Sequence, residues 1–168
     1  MAASLIRRKA PTYDADRIAW LERQAAPARS GDAAALDLDH LAEELEDMGR
    51  AERRELRSRL ETLLMHLLKY EFQPPARSAS WRGTIVDQRL RIRDALDESP
   101  NLLRFLERSF VEAACYADAL ARAIAETGLA IEQFPETCPY TLDQALDPGF
   151  WPGPGPHPSL HRSGRRRK

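Results

Sequence analysis

The chain has 168 residues and a mass of 19.0 kDa, a length typical of one domain with its own hydrophobic core. Its formal charge of −1 is uneven, because eight basic residues lie near the two ends and leave residues 11–151 near −9. Such an acidic body argues against a duplex-DNA-binding protein, which needs a basic surface, and two cysteines do not suggest a disulfide framework. Because the sequence shows no secretion signal and no long apolar stretch, we expect a cytoplasmic protein that is not associated with a membrane.

Two helices are predicted in the first half of the chain. The first covers about residues 14–28 and is followed by a turn at Gly31. The second begins at Asp37 or Asp39, where acidic side chains suit the positive end of the helix dipole, and continues to Tyr70. Pro74 and Pro75 prevent its continuation, so this helix is the dominant element of the chain.

Two further long helices and a short one are predicted in the second half. Ser78 or Ser80 caps the third helix, which reaches about residue 98, and the fourth covers residues 101–127. Thr141, with Gln144 three residues on, predicts a short C-terminal helix. The expected fold class is therefore all-α, an antiparallel four-helix-type bundle with one long helix.

The ends of the chain differ from this helical part in composition. Residues 152–168 alternate proline and glycine and end in basic residues, so we expect a disordered basic tail. Residues 1–11 are expected to be a flexible segment, and residues 12–151 a single helical domain. The basic tail offers the one place where nucleic acid could bind, although a solvated end is the simpler interpretation.

Several short motifs, in a fixed order, resemble one family. They cover residues 37–49, 66–70, 73–74, 77–81, 139–142 and 150–152. In these motifs the chain resembles the bacterial family called domain of unknown function 29, over nearly all of its length except the tail. His40 stands where the family usually has an amide, and Tyr70 where it usually has tryptophan. The resemblance implies a mostly helical protein and carries no activity with it.

A polar strip is predicted within the apolar side of the long helix. At 100° per residue, Glu52 falls among the leucines of that side, and His66 lies close to the same direction. A carboxylate buried there must be paired; Glu52, Arg59 and His66 follow one another in steps of seven residues, and Glu55 lies alongside. Glu52, Glu55 and His66 are therefore candidates for catalysis, but a network that only fixes helix packing explains the same pattern.

An acidic cluster at the start of the long helix offers metal-competent side chains. His40, Glu43, Glu44 and Asp47 recur at spacings of three and four, on one side of the helix. Acidic residues are also favoured in a first helical turn by the dipole. The cluster is either a metal site or a solvated acidic surface.

The start of the third helix is a candidate anion-binding site. Free backbone N–H groups and hydroxyls there are accompanied by cations that could hold a phosphate or a carboxylate; the candidate residues are Lys69, Arg77, Ser78 and Ser80, with Arg82 nearby. A capped helix with surface arginines is the alternative interpretation.

Two classes of function follow from these features. The leading hypothesis is a non-enzymatic module that binds a basic protein partner, as an antitoxin-like regulator would, through its acidic long helix. The alternative is an enzyme, a metal-assisted hydrolase or a phosphate-binding activity that uses the Glu and His strip. The sequence specifies no cofactor and no oligomeric state.

Overall fold

The computed structural model describes residues 12–112 and 114–153. These described residues divide into two compact units, a first unit that ends at residue 51 and a second unit that begins at residue 52. The segment predicted to be flexible, residues 1–11, and most of the predicted tail, from residue 154 onward, lie outside the described residues. Whether residues 12–151 behave as a single domain stays a prediction.

The first unit contains helix α1 (Arg17–Ser30) and the first part of the long helix α2 (Leu38–Phe72). Asp16 begins α1, because its side chain accepts a hydrogen bond from the backbone N–H of Ala19 over 3.0 Å. Gly31 ends it with a φ of 73°, a left-handed conformation that glycine adopts without strain. Trp20 is buried on α1, within this unit.

The second unit contains the rest of α2 and four further helices. These are α3 (Ala79–Glu98), α4 (Leu102–Val111), α5 (Ala114–Thr127) and α6 (Leu142–Leu146). The core is formed by the apolar side of α2 from Leu56 to Leu68, together with Ile85 and Ile92 of α3 and apolar residues of α4, α5 and α6. Burial of this apolar surface is the main stabilising contribution to the unit.

The predicted fold class is confirmed. The described residues form six α-helices and no strand, with one long helix and a short C-terminal helix. The predicted caps are also found: Ser78 caps α3, and Thr141 with Gln144 forms a capping box at α6. In the described part of the chain, no helix is both long enough and apolar enough to cross a membrane.

The prediction of one continuous helix over residues 101–127 is wrong, because the structure has two helices there, α4 and α5. The buried residues are Leu106 and Ser109 on α4, but Cys115, Tyr116, Ala119 and Ala123 on α5. On one continuous helix these two sets would point about 90° apart, so a break lets each helix direct its buried side to the core. No glycine or proline marks the position.

The prediction that Glu52 lies in the apolar core is also wrong. Glu52 is exposed, and Leu45, which points in nearly the same direction, is 68% exposed. The buried apolar residues of α2 begin only at Leu56. Glu52 therefore lies on the predicted side of the helix, but ahead of the stretch whose apolar residues are buried.

Candidate functional site

Aromatic and cationic side chains line an open cavity in the second unit. The cavity has a volume of about 450 Å³ and is lined by Tyr70, Arg77, Ser78, Ala79 and Arg82. None of these lining residues is acidic. The end of α2, the turn that follows it and the first turn of α3 thus contribute to one concave surface, and we call it the arginine cavity.

The two prolines after α2 place Arg77 in this cavity. Pro74 and Pro75 begin a short 3-10 helix, and the chain then turns at Arg77 into the Ser78 cap of α3. The Arg77 Nε donates a hydrogen bond to the carbonyl oxygen of Tyr70 over 2.6 Å. Its Cζ lies 4.3 Å from the centroid of the Tyr70 ring, within cation–π range. Arg77 is therefore held against the last turn of α2.

Trp151 lies beside the same group of residues. Its ring centroid is 5.3 Å from that of Tyr70, and the Arg82 Cζ is 5.2 Å from the Trp151 centroid. The motif around Trp151 is thereby brought to the motifs around Tyr70 and Arg77, which lie far earlier in the sequence. Tyr70 stands at the position where the sequence motif usually has tryptophan. Either residue supplies the aromatic ring that these contacts require.

Arg89 is a buried residue that lies beside Trp151. It was not identified from the sequence. Only 5% of Arg89 is exposed; its Nε donates to the carbonyl oxygen of Ala145 and its Nη2 to that of Phe150, each over 2.8 Å. Its Cζ is 5.5 Å from the Trp151 ring centroid. Arg89 thus binds the segment that carries Trp151 to α3. Arg89 is four residues after Ile85 and three before Ile92, a helical spacing that places it on the buried side of α3 and could have identified it.

Two predicted anion-binding residues do not line the arginine cavity. Lys69 is buried, forms an ion pair with Glu126, and has its Nζ 4.4 Å from the Trp81 ring centroid. Ser80 is exposed on the first turn of α3. Of the predicted set, Arg77 and Ser78 come together, with Arg82 beside them.

The candidate catalytic residues Glu52, Glu55 and His66 are not brought to one place. Glu52 and Glu55 line a different cavity of about 300 Å³, where Glu55 forms an ion pair with Arg59. His66 is not among the lining residues of this cavity. It lies eleven positions after Glu55 on the same helix, about 16 Å along the axis.

His66 is half-buried beside the core. Its Nδ1–H donates to the carbonyl oxygen of Thr62 over 3.0 Å, since a carbonyl can only accept. Burial lowers the pKa of His66, and the charge of Lys69 lowers it further. The imidazole is therefore neutral at pH 7.

Three of the four candidate metal ligands at the start of α2 are engaged in other interactions. The His40 Nδ1 lies 2.8 Å from Asp37 Oδ2, and the buried Glu44 forms an ion pair with Arg17. The hydrogen bond with Asp37 raises the pKa of His40. Among the described residues, no group of three or more histidine, cysteine or acidic side chains is arranged to hold a metal ion. Glu43 is exposed, and Asp47 pairs with Arg50 over 2.6 Å.

A stripe of exposed apolar side chains runs along the first part of α2. Leu38, Leu45 and Met48 are 60%, 68% and 58% exposed, and their spacing places them on one side of the helix. Asp39, Glu43 and Glu46 occupy the adjoining exposed side. We call the three apolar residues the α2 stripe.

The arrangement of helices and motifs defines an all-α protein with a long central helix and a cationic cavity at its end. Residues 12–151 match the family described as Domain of unknown function DUF29, and the chain belongs to that family. A search of curated proteins found no match, and a search of solved structures found none either.

Proposed function

We propose that this protein is a non-enzymatic binding module that docks a basic partner protein on the α2 stripe. The observation that supports this most is the exposure of Leu38, Leu45 and Met48 on one side of a single helix. Large apolar side chains grouped in this way, with polar residues beside them, are typical of a surface that another protein covers.

The charge of the first unit favours a basic partner. Residues 12–51 contain ten acidic residues and four arginines, a net charge of −6. Acidic side chains beside an apolar stripe would attract a positively charged partner and orient it before the apolar contact forms. A second copy of the chain is disfavoured, because it would place the same negative charge on both sides of the interface.

The kind of partner follows from the form of the surface. A straight apolar stripe on a helix suits an amphipathic helix of the partner, whose apolar side chains repeat at three and four residues. Basic residues beside that apolar side would face Asp39, Glu43 and Glu46. Such a module would act as a regulator that neutralises a basic protein, as an antitoxin does.

Capture from a native lysate of the producing cells, with three forms of the tagged full chain, tests the proposal. These are the natural chain, the double variant Leu45→Ser with Met48→Ser, and the control Val111→Ser. Val111 is a matched control because it is 80% exposed on α4, far along the chain from the α2 stripe.

The proposal predicts that one basic protein is recovered with the natural chain and with the Val111 variant, and is lost with the double variant. Recovery should also fall as salt is raised, since screening weakens the charge contribution. Equal recovery with all three forms, or recovery of no specific protein with the natural chain, would contradict the proposal.

A further inference from the structure

We propose that the arginine cavity binds a phosphate monoester, a small molecule that carries a dianionic phosphoryl group. This site belongs to the second unit and is independent of the α2 stripe. Four observations support it. The two arginines of the cavity form no ion pair with any described residue, and the guanidinium of Arg77 is held in place. A second guanidinium, that of Arg82, lies on the first turn of α3, and aromatic rings lie at the edge of the cavity.

The first observation is the absence of a counter-charge. Within residues 12–112 and 114–153, neither Arg77 nor Arg82 forms an ion pair, whereas Arg57, Arg59 and Arg91 each do. Two guanidinium groups that line one concavity repel each other unless an anion lies between them. A dianion would satisfy both, and it would do so better than a singly charged group.

The second observation is the fixed position of Arg77. Its Nε donates to the Tyr70 carbonyl oxygen, and its guanidinium lies over the Tyr70 ring. The conformation of Arg77 is therefore set before a ligand binds. Its Nη2 is buried, and no hydrogen-bond partner for it is present in the described part of the chain. Arg77 also lines the cavity, and a guanidinium whose position is already fixed loses less conformational freedom when it binds an oxyanion.

The third observation concerns the first turn of α3. Ser78 and Arg82 are four residues apart and therefore lie on one side of the helix. The Ser78 oxygen accepts from the Trp81 N–H over 3.2 Å, which leaves its own O–H able to donate into the cavity. The backbone N–H of Ala79 has no acceptor within the helix and adds a further donor. A phosphoryl group has three terminal oxygens for these donors, whereas a carboxylate has two.

The fourth observation is the aromatic edge. Tyr70 lines the cavity, and Trp151 contacts both Tyr70 and Arg82. Flat apolar surface beside a cationic centre suits a phosphate ester whose organic part carries a ring. Phenyl phosphate is the simplest probe of this kind, and benzoate has the same ring with a carboxylate in place of the phosphate.

The test is titration of the full chain with phenyl phosphate, inorganic phosphate and benzoate at constant ionic strength, followed by calorimetry and by amide resonances in NMR spectra. We expect saturable binding of both phosphates, tighter for phenyl phosphate, with the largest resonance shifts at Ala79 and Arg82. Benzoate should bind at least about tenfold more weakly, as expected for a lost charge-assisted hydrogen bond.

Two variants locate the site. Arg82 is exposed, so Arg82→Gln should fold normally, and it should weaken phosphate binding by about tenfold. The control Arg93→Gln removes the same charge from an exposed position on the same helix, outside the cavity, and should leave binding unchanged. No saturation with either phosphate, equal binding of benzoate, or equal losses in the two variants would overturn the proposal.

Discussion

Tyr140 donates its phenolic hydrogen to Glu71 Oε2 over 2.7 Å, and both residues are buried in the second unit. Glu71 belongs to the last turn of α2, and Tyr140 lies just ahead of the Thr141 cap of α6. Burial raises the pKa of Tyr140 well above its usual value, and the nearby Glu71 charge acts in the same direction. This hydrogen bond connects the irregular segment before α6 to the end of the long helix.

Replacing Tyr140 with phenylalanine should lower the free energy of unfolding by about 1–3 kcal/mol, because a buried carboxylate loses a hydrogen-bond donor. The ring itself is kept, so the packing on Phe150 is retained. Urea denaturation of the natural chain and the variant measures the difference. An unchanged midpoint would show that this bond does not contribute to stability.

Replacing Arg89 with methionine should destabilise the second unit by about 2–3 kcal/mol. The change removes charge-assisted hydrogen bonds to the buried carbonyl oxygen of Ala145 and the part-buried one of Phe150, and both acceptors would lose their donor. Arg93→Met, on the exposed side of the same helix, should stay within about 0.5 kcal/mol. Similar losses in both variants would contradict the structural role of Arg89.

His66 should make the chain less stable in acid. Burial lowers its pKa in the folded state below the unfolded value of about 6.5, so the unfolded state binds the proton more readily. Stability should therefore fall as pH decreases from about 6.5 toward the folded pKa, and His66→Gln should remove that part of the dependence. Thermal unfolding at a series of pH values measures this, and an identical profile in the variant would argue against it.

His40 should have the opposite behaviour. The hydrogen bond with Asp37 raises its pKa in the folded state, so its contribution to stability is present below about pH 6.5 and is lost as pH rises through the folded pKa. NMR titration of the ring protons should give a pKa above the usual value for His40 and below it for His66. A pKa of His66 above that of His40 would contradict the surroundings described for both histidines.

Much of the local structure could be predicted from the sequence. Pro74 and Pro75 ended the long helix, Ser78 capped the next one, and the Thr141 and Gln144 pair gave a complete capping box, because these signals act through neighbouring residues. The break at the end of α4 could not be predicted in this way. It depends on where the other helices lie, and no local residue type marks it.

The candidate sites could also be predicted only where they depend on residues that are neighbours in sequence. Arg77 and Ser78 are adjacent in sequence, and the structure keeps them together in the arginine cavity. Lys69 was counted as a free cation, but its partner Glu126 lies 57 residues away. Glu52 was placed in the core because a helical wheel gives the direction of a side chain but not where along the helix the partners begin. Long-range pairing of this kind is set by tertiary packing.

Site-specific photo-crosslinking from the α2 stripe shows most directly whether a basic protein docks there. A chain with p-benzoylphenylalanine in place of Leu45 would be irradiated in the producing cells, and a chain with the same group in place of Val111 would serve as control. We expect one covalent adduct with a basic protein from position 45 and none from position 111. Adducts of equal yield from both positions, or an adduct of the chain with a second copy of itself, would contradict it.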